Sequence, residues 1–463
     1  MARDKAQLPE LRLTWPKRTW EPGATAFRGE KTHTLEHVGD GGQTLVLGDA
    51  LDVAGALHAQ GRAGQVDLVY IDPPYASQAD YVLEARLDGP ADGRVRRTKA
   101  YEDSWSEIGD YLDMLAPRIE AGARLLARTG SIWIHVDWRA SYLVRALLDE
   151  IMGRDRFINE IVWRRAPNLG RQATSAQFGR TLDTLIVYGG PAAKLTPPTR
   201  LEPIEPGAIR WDDAGRPFTS APRGDYTDAS IEKLDAIGRV HRTATGKVYI
   251  KYFLVKDAAG VWCRERRVDA LWTDVPPLRH AKTGERTGYP TQKPRALLER
   301  ILRCASPEGG LVVDLFSGSG TTAEAAFTTG RRAVCGDAKP AAIATARARL
   351  LRAGAGLTVA RTNGAAWPVA APPRATVAHD AGEATVTLHE PTEPLAWSVA
   401  ATWDGEGPFT TTWHSERAPG ARAVRAARAA TFAYGASNRK PGESQMGVRV
   451  FADDGTMASV TLP

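Results

Sequence analysis

One stretch, residues 310–337, limits the fold of this chain more than any other. It reads GLVVDLFSGSGTTAEAAFTTGRRAVCGD, so an apolar run is followed by a glycine-rich loop, a helical segment and a second apolar run that ends in an acid. Gly318 and Gly320, directly after an apolar run, are typical of a buried strand that turns tightly into a helix. Strand, loop, helix and strand in this order predict a parallel α/β sheet.

The glycine-rich loop also predicts a ligand site. Its glycines allow a ligand to approach the backbone at the start of a helix, and Asp337 closes the next strand, where a carboxylate can accept hydrogen bonds from both hydroxyls of a ribose. A Walker A loop is excluded because Thr321 stands where its lysine would be, and a nicotinamide site is disfavoured because Ala323 replaces the third glycine. The loop therefore favours an adenosine-bearing cofactor.

A second strand end, in the stretch VDLVYIDPPY, carries an acid, two prolines and an aromatic ring. The apolar run from Val66 is typical of a buried strand, and Asp72 follows it at the carboxyl end, where ligands bind in open α/β sheets. Pro73 and Pro74 donate no backbone N–H, so the carbonyls beside them can remain free acceptors, with Tyr75 next to them. The alternative interpretation is an ordinary turn after a strand.

Strand and helix patterns alternate over residues 43–190 and favour a parallel sheet covered on both faces. The helical pattern over residues 110–128 contains Pro117, which should kink or restart the helix. From Pro191 to about Gly288 the periodicity fails over a length that is unusual for a loop. That segment is therefore predicted to be a functional insert or to be partly disordered.

The composition changes after Gly364. A proline-rich linker at residues 368–375 precedes stretches that alternate apolar and polar residues, and the pairs Asp404-Gly405 and Asp454-Gly455 are hairpin signals. This pattern predicts a small, separate β domain.

Charge and cysteine content narrow the partners and the compartment. Positive charges exceed negative ones by 6, and basic residues cluster with aromatic ones, which favours an anionic partner such as a nucleic acid. Three widely spaced cysteines form neither a disulfide framework nor a zinc pattern. Without an apolar signal core or a membrane-length apolar run, the expected location is the cytoplasm, with no membrane partner.

Taken together, these motifs resemble the β-class amino-methyltransferases of DNA, which transfer a methyl group from S-adenosylmethionine to an exocyclic amine. The resemblance rests on Asp72-Pro73-Pro74-Tyr75, on DLFSGSGTT with Asp337, on YPTQKP at residues 289–294 and on GDAL at residues 48–51. The phrases RLTWPK, SIWIHVD and RTGYPTQKP are similar to those of the Mod subunits of type III restriction systems. In this class the catalytic half precedes the cofactor half.

The resemblance implies a doubly wound α/β fold, a circularly permuted S-adenosylmethionine-dependent methyltransferase sheet with an inserted recognition region and a small C-terminal β domain. The expected domains are the catalytic half at residues 1–190, the target-recognition insert at 191–288, the cofactor-binding half at 289–364 and a β-rich domain of unknown role at 365–463. The motifs do not require the last of these domains.

The resemblance also assigns site residues. Asp72, Pro73, Pro74 and Tyr75 are the expected catalytic residues, and no metal is required. The expected cofactor-binding residues are Asp49, Thr291, Lys293, Asp314, Phe316, Ser317, Gly318, Gly320, Thr321 and Asp337. Two of these assignments have alternatives: Asp49 can be a helix cap, and the turn that holds Thr291 and Lys293 can be a helix entry. Trp133 and His135 are expected to form part of the wall of the site and to take no part in the reaction.

The implied function is methylation of the exocyclic N6 of an adenine flipped out of duplex DNA. The alternatives are cytosine-N4 transfer, for which family members more often carry Ser where Asp72 stands, and a non-catalytic DNA-binding module. Cytosine-C5 chemistry would need a Pro-Cys nucleophile, and no cysteine here follows a proline. Besides double-stranded DNA, the resemblance leaves a restriction or accessory subunit and a homodimer as candidate partners.

Overall fold

The computed structural model describes residues 12–27, 31–86, 95–168, 176–281, 284–380, 383–390, 396–400, 408–416, 429–433, 445–451 and 457–462. The helices are α1 Ala50–Ala59, α2 Ile108–Leu125, α3 Ser141–Met152, α4 Asp228–Ala236, α5 Arg295–Ala305, α6 Thr321–Thr328 and α7 Pro340–Arg352. The strands up to residue 272 are β1 Thr32–Val38, β2 Gln43–Leu47, β3 Val66–Ile71, β4 Ala79–Arg86, β5 Val95–Asp103, β6 Leu126–Val136, β7 Phe157–Arg164, β8 Leu182–Gly189, β9 Thr199–Pro203, β10 Arg210–Trp211, β11 Pro217–Pro222, β12 Val240–Arg242, β13 Val248–Lys256, β14 Trp262–Arg267 and β15 Leu271–Trp272. The later strands are β16 Leu311–Asp314, β17 Arg332–Asp337, β18 Leu357–Thr362, β19 Arg374–Asp380, β20 Glu383–Glu390, β21 Ala396–Ala400, β22 Phe409–Thr411, β23 Trp413–Glu416, β24 Ala429–Ala433, β25 Met446–Phe451 and β26 Met457–Leu462.

The main sheet has eleven strands among the described residues, in the order β15-β7-β8-β6-β3-β16-β17-β2-β18-β1-β22. The central strands from β6 to β18 are parallel, as predicted. Two places depart from the predicted parallel arrangement: β8 runs antiparallel to β6 and β7, and β1 runs antiparallel to β18. Strand β3 pairs directly with β16, which places the two predicted motifs side by side.

Helices cover both faces of this sheet. On one face, α2 lies over β3 so closely that a Cβ on Gly122 would stand 3.0 Å from Val69. Side chains alternate along a strand, so Leu68 and Tyr70 point to the other face, where α5 contacts β3 and continues to α6 and α7. The α/β prediction is thereby confirmed, and the circular permutation stays a prediction.

Helix α2 passes through Pro117 without a break, so the predicted restart was wrong. Its start is held by a capping box between Glu107 and Asp110. Leu115 and Ile119, on either side of the proline, are completely buried in the core. Burial of this apolar face stabilises both halves of the helix and offsets the one backbone hydrogen bond that proline does not make.

Residues 197–269 form a compact unit of their own. Its strands are ordered β10-β11-β13-β14-β9, with β12 paired to β13, and Ile231 of α4 packs with Val240 and Ile250. Of the two predicted alternatives for residues 191–288, partial disorder does not hold for residues 197–269, and a functional insert stays a prediction. The unit is narrower than the predicted insert. Its strands carry many charged residues and few buried ones, which explains why their periodicity is weak.

The C-terminal strands form two small sheets, β19-β20-β24 and β23-β21-β25-β26, around a core that includes Trp397 and Val448. A separate domain was predicted here, but these strands belong to the same compact unit as the main sheet. Two contacts join them to it: β22 pairs with β1, and Glu36 of β1 is buried against them. Glu36 accepts hydrogen bonds from Arg347 at 2.6 and 2.7 Å, from Ser398 at 3.1 Å and from Thr411 at 2.5 Å. The hairpin signals at Asp404-Gly405 and Asp454-Gly455 lie outside the described residues.

Across the ranges that the structure describes, the helices are all too short or too polar to cross a membrane.

Candidate active site

The carboxyl ends of β3 and β16 open into one cavity of about 440 Å³. Asp72, Pro73, Pro74 and Tyr75 line it from the β3 side, and the loop that follows β16 lines it from the other. The pairing of Asp314 with Tyr70 explains this proximity, because parallel neighbours end at the same edge of the sheet. The fold thus brings together two motifs that are far apart in the chain.

Residues 72–75, at the end of β3, form what is called here the acceptor corner, and Asp72 is its acid. Its Oδ1 accepts a hydrogen bond from the Tyr75 hydroxyl at 2.7 Å, and its Oδ2 pairs with the Lys293 ammonium at 2.5 Å. The Asp72 side chain is 17% exposed and that of Lys293 is 10% exposed. Each carboxylate oxygen has two lone pairs, so the Asp72 carboxylate keeps acceptor capacity towards the cavity.

Tyr75 is held from two sides. Burial raises the pKa of its hydroxyl well above the usual value, and the Asp72 charge raises it further, so the hydroxyl is neutral and donates.

The Tyr75 ring stacks on His135, with ring centroids 6.1 Å apart. The ring nitrogens of His135 bond the Tyr70 hydroxyl at 2.9 Å and Asp183 at 3.2 Å. His135 is therefore a fixed wall beneath Tyr75, as predicted, whereas Trp133 packs against Trp272 in the core.

Two carboxylates shape the glycine-rich loop, the buried Asp314 and the half-buried Asp337. Asp337 accepts hydrogen bonds from the backbone N–H groups of Gly318 at 2.9 Å and Lys339 at 2.8 Å. Asp314 accepts from the Phe316 N–H at 2.9 Å and from the Thr322 hydroxyl at 2.5 Å. Burial raises the pKa of Asp337 to about 6 and that of Asp314 to about 7. Both acids hold the loop, and this use of Asp314 was not anticipated from the sequence.

The loop is built to receive a polar ligand. The Ser317 hydroxyl is buried without a hydrogen-bond partner among the described residues. Gly318 has a φ of +49°, and a Cβ there would stand 3.3 Å from the Tyr289 ring, so glycine keeps this part of the cavity open. Gly320 serves packing instead, because its Cβ would lie 2.5 Å from the Cβ of Ala346. The open space at Gly318 and the unpaired Ser317 hydroxyl fit the predicted adenosine-bearing cofactor.

Both interpretations of Asp49 agree with its geometry. Its Oδ1 accepts from the Leu51 N–H at 2.9 Å, which caps α1, while Oδ2 pairs with Arg118 at 2.5 Å and the residue lines the cavity.

The turn before α5 also borders the cavity. Thr291 has a φ of +56° and bonds the Tyr101 hydroxyl at 2.9 Å. Thr321 donates to the carbonyl of Lys293 at 3.2 Å, which joins the glycine-rich loop to this turn. The direct contact of Lys293 with Asp72 was not predicted from the sequence.

Asp103 was also missed. It is buried at the end of β5 and bonds the backbone of the turn that follows Tyr75. The sequence shows only an acid before Ser104 and Trp105, so no local pattern indicates this contact.

Known proteins are similar to this chain in sequence and in fold. A family model described as DNA methylase matches residues 66–348. The type II methyltransferase M.EcaI of Enterobacter cloacae is 27% identical over 57% of this chain and 60% of its own length. The StyLTI Mod subunit, from a type III restriction-modification enzyme of Salmonella typhimurium, is 26% identical over 67% of this chain and 53% of its own length. This chain therefore spans less than two thirds of either relative. The solved M1.HpyAVI-SAM complex is 16% identical, with a TM-score of 0.38 over 66% of this chain and 98% of that one.

Proposed function

Because this chain belongs to the DNA methylase family, we propose that it methylates the exocyclic N6 of an adenine in duplex DNA, at specific sites. The family uses S-adenosylmethionine, which supplies the methyl group when bound. The observation that carries the proposal is the Asp72 carboxylate, fixed by Tyr75 and Lys293 in the same cavity as the glycine-rich loop.

The acceptor corner from Asp72 to Tyr75 can make an aromatic amine more nucleophilic. The adenine amino group is a poor nucleophile because its lone pair is delocalised into the ring. Asp72 and the Pro73 carbonyl accept its two N–H bonds and draw the nitrogen towards a tetrahedral form with a localised lone pair. Positioning and electrostatics of this kind provide most of the rate enhancement. Lys293 balances the Asp72 charge from the side of the YPTQKP turn.

A base that reaches this corner must leave the DNA stack, so the proposal includes base flipping. The Tyr75 ring is the stacking surface for the flipped base, and His135 supports it from behind. Ser317, Gly318 and Asp337 would hold the cofactor, with Asp49 across the cavity.

Cytosine-N4 transfer is the nearest alternative, because the same acceptors suit both amines. Asp72 favours adenine through the family resemblance described above. A non-catalytic DNA-binding module is disfavoured because Asp72 and Gly318 are both present and meet at one cavity.

The base and its context are open to direct measurement. We expect purified protein with labelled S-adenosylmethionine to methylate mixed-sequence duplex DNA, and hydrolysis with mass spectrometry to detect N6-methyladenine within one short sequence. N4-methylcytosine in its place would support the alternative. DNA binding without any transfer would identify a non-catalytic module.

The unit at residues 197–269 is proposed as the target-recognition region, within the insert predicted at 191–288. Its basic residues are Arg200, Arg210, Arg216, Arg223, Lys233, Arg239, Arg242, Lys247, Lys251, Lys256, Arg264, Arg266 and Arg267. Some already have acidic partners, such as Arg242 with Asp235 at 2.9 Å. Lys247 and Arg267 are exposed, and neither has an acidic partner within 4 Å among the described residues. Unpaired cations of this kind are available for phosphates.

Alanine at Lys247 or Arg267 should weaken binding to all duplexes and lower the salt dependence by about one unit of slope, since each removes one phosphate contact. Arg242→Ala is the matched control and should change the slope less, because Asp235 already neutralises Arg242. A variant that loses about 1–3 kcal/mol on the cognate site alone marks a base contact. Binding is measured on cognate and random duplexes at several salt concentrations. If no variant across the unit changes preference or slope, recognition lies elsewhere.

The other partners follow from the resemblance. A restriction or accessory subunit and a homodimer stay predictions, which sedimentation of the purified protein and pull-down from its host would test.

A further inference from the structure

The Asp103 carboxylate, only 1% exposed, collects five hydrogen bonds. Oδ2 accepts from the backbone N–H of Tyr75 at 3.0 Å, the N–H of Ser77 at 2.9 Å and the Ser77 hydroxyl at 2.6 Å. Oδ1 accepts from the N–H of Ala76 at 2.9 Å and the indole N–H of Trp105 at 3.0 Å. A carboxylate has about four lone-pair sites, so all of its acceptor capacity is engaged. Three of the five donors are consecutive backbone amides.

The turn bound by Asp103 has an unfavourable backbone conformation. Ala76 has a φ of +54° and Gln78 a φ of +57°, values that side chains with a Cβ adopt at a cost. The Gln78 N–H donates to the backbone carbonyl of Asp103 at 2.9 Å, and its side chain bonds the backbone of Trp105. Such a conformation persists only where the surroundings enforce it, and here the enforcing groups belong to Asp103 and Trp105.

The first residue of this turn is Tyr75, whose hydroxyl donates to Asp72. A displaced turn would therefore move both the Tyr75 ring and the hydrogen bond that orients the Asp72 carboxylate. We propose that Asp103 is a positioning residue, which holds the turn from Tyr75 to Gln78 so that the acceptor corner keeps its geometry. Its effect on methyl transfer rests on the proposed function, whereas its effect on the turn does not.

The first test compares Asp103→Asn with Asp80→Ala, in the full chain. Asp80 is a matched control because it is an exposed acid on β4 of the same hairpin and lies outside the cavity. Asparagine presents an NH₂ group to donors that need an acceptor. Hydrogen–deuterium exchange at residues 75–77 should accelerate about tenfold or more, because exchange follows the loss of these bonds. Asp80→Ala should exchange like the wild type. Unchanged exchange in Asp103→Asn would overturn the proposal.

Activity gives the second readout. Single-turnover methylation by Asp103→Asn should slow about 30-fold, while S-adenosylmethionine affinity by calorimetry stays within about threefold, since Asp103 acts on the corner and not on the glycine-rich loop. Equal losses of affinity and rate would indicate a general loss of structure and would contradict a positioning role.

A rescue variant separates positioning from mere stability. Glycine adopts a φ of +54° without a Cβ penalty, so Ala76→Gly removes the strain that Asp103 must hold. Added to Asp103→Asn, it should recover about fivefold of the lost rate, although Ala76→Gly alone stays near wild type. No recovery would show that Asp103 does not act through this turn.

If Asp103→Asn does not fold, Ser77→Ala provides the test, because it removes one donor and leaves the buried carboxylate intact. It should accelerate amide exchange at residues 75–77 about threefold, and unchanged exchange would overturn the proposal. Exchange is measured without DNA, so a protein that methylated another substrate would still confirm or contradict the role of Asp103.

Discussion

Asp72→Ala should slow methyl transfer roughly 10³-fold and leave the affinity for S-adenosylmethionine nearly intact. The variant removes the acceptor that localises the lone pair of the target amine, and loss of one preorganised group of this kind typically costs 10²–10³ in rate. Asp72 is not part of the glycine-rich loop, so cofactor binding should survive. Single-turnover methylation and calorimetry measure the two effects separately.

Lys293 needs a control in this experiment. Asp72→Ala leaves its largely buried ammonium without its carboxylate partner, which can destabilise the protein by itself. The double variant Asp72→Ala with Lys293→Met removes that unpaired charge, whereas Asp72→Asn keeps an acceptor oxygen for the ammonium but not its counter-charge. The double variant should melt near the wild-type temperature, and both should remain inactive. Turnover at the wild-type rate in any of the three would refute the proposed role of Asp72.

Gly318→Val should weaken S-adenosylmethionine binding roughly 100-fold. At a φ of +49° a β-branched residue is strained, and its Cβ would stand 3.3 Å from the Tyr289 ring at the edge of the cavity. The cofactor therefore loses both space and the fixed N–H groups of the loop. Calorimetry with the purified variant measures the change.

The control for Gly318→Val is its thermal melting curve, which should remain cooperative although the strained backbone lowers its midpoint, so that affinity is compared at a temperature where both proteins are folded. Gly320 is unsuitable for this purpose: a Cβ there would lie 2.5 Å from Ala346 and disturb the packing of α6 on α7. Normal cofactor affinity in Gly318→Val would mean that the ligand binds away from this loop.

The parts of the site that the sequence predicted are those encoded by neighbouring residues. The strand that ends at Asp72 and the loop at Gly318 each combine an apolar run with residues of special backbone behaviour, so a short window suffices. Their meeting at one edge followed from the rule that ligands bind at the carboxyl ends of parallel strands.

The missed parts depend on contacts between distant segments. Asp103 reaches Tyr75 only because β4 and β5 fold back as a hairpin, and Lys293 reaches Asp72 only because β16 inserts beside β3. The helical path through Pro117 depends on burial of a face whose partners lie elsewhere in the chain. None of these contacts changes the local pattern of residues.

The buried pair of Glu36 and Arg347 bears on how chains of this kind can be recombined. The Glu36 carboxylate also accepts hydrogen bonds from Ser398 and Thr411, and β22 pairs with the edge of β1. Cutting the chain after Gly364 would therefore remove two hydroxyl donors from a buried acid and expose a strand edge. A graft that exchanges the C-terminal residues must therefore carry matching partners for Glu36. Residues 197–269 have their own core and their own sheet, so a chimera that exchanges the proposed target-recognition region has its natural junctions at those two boundaries.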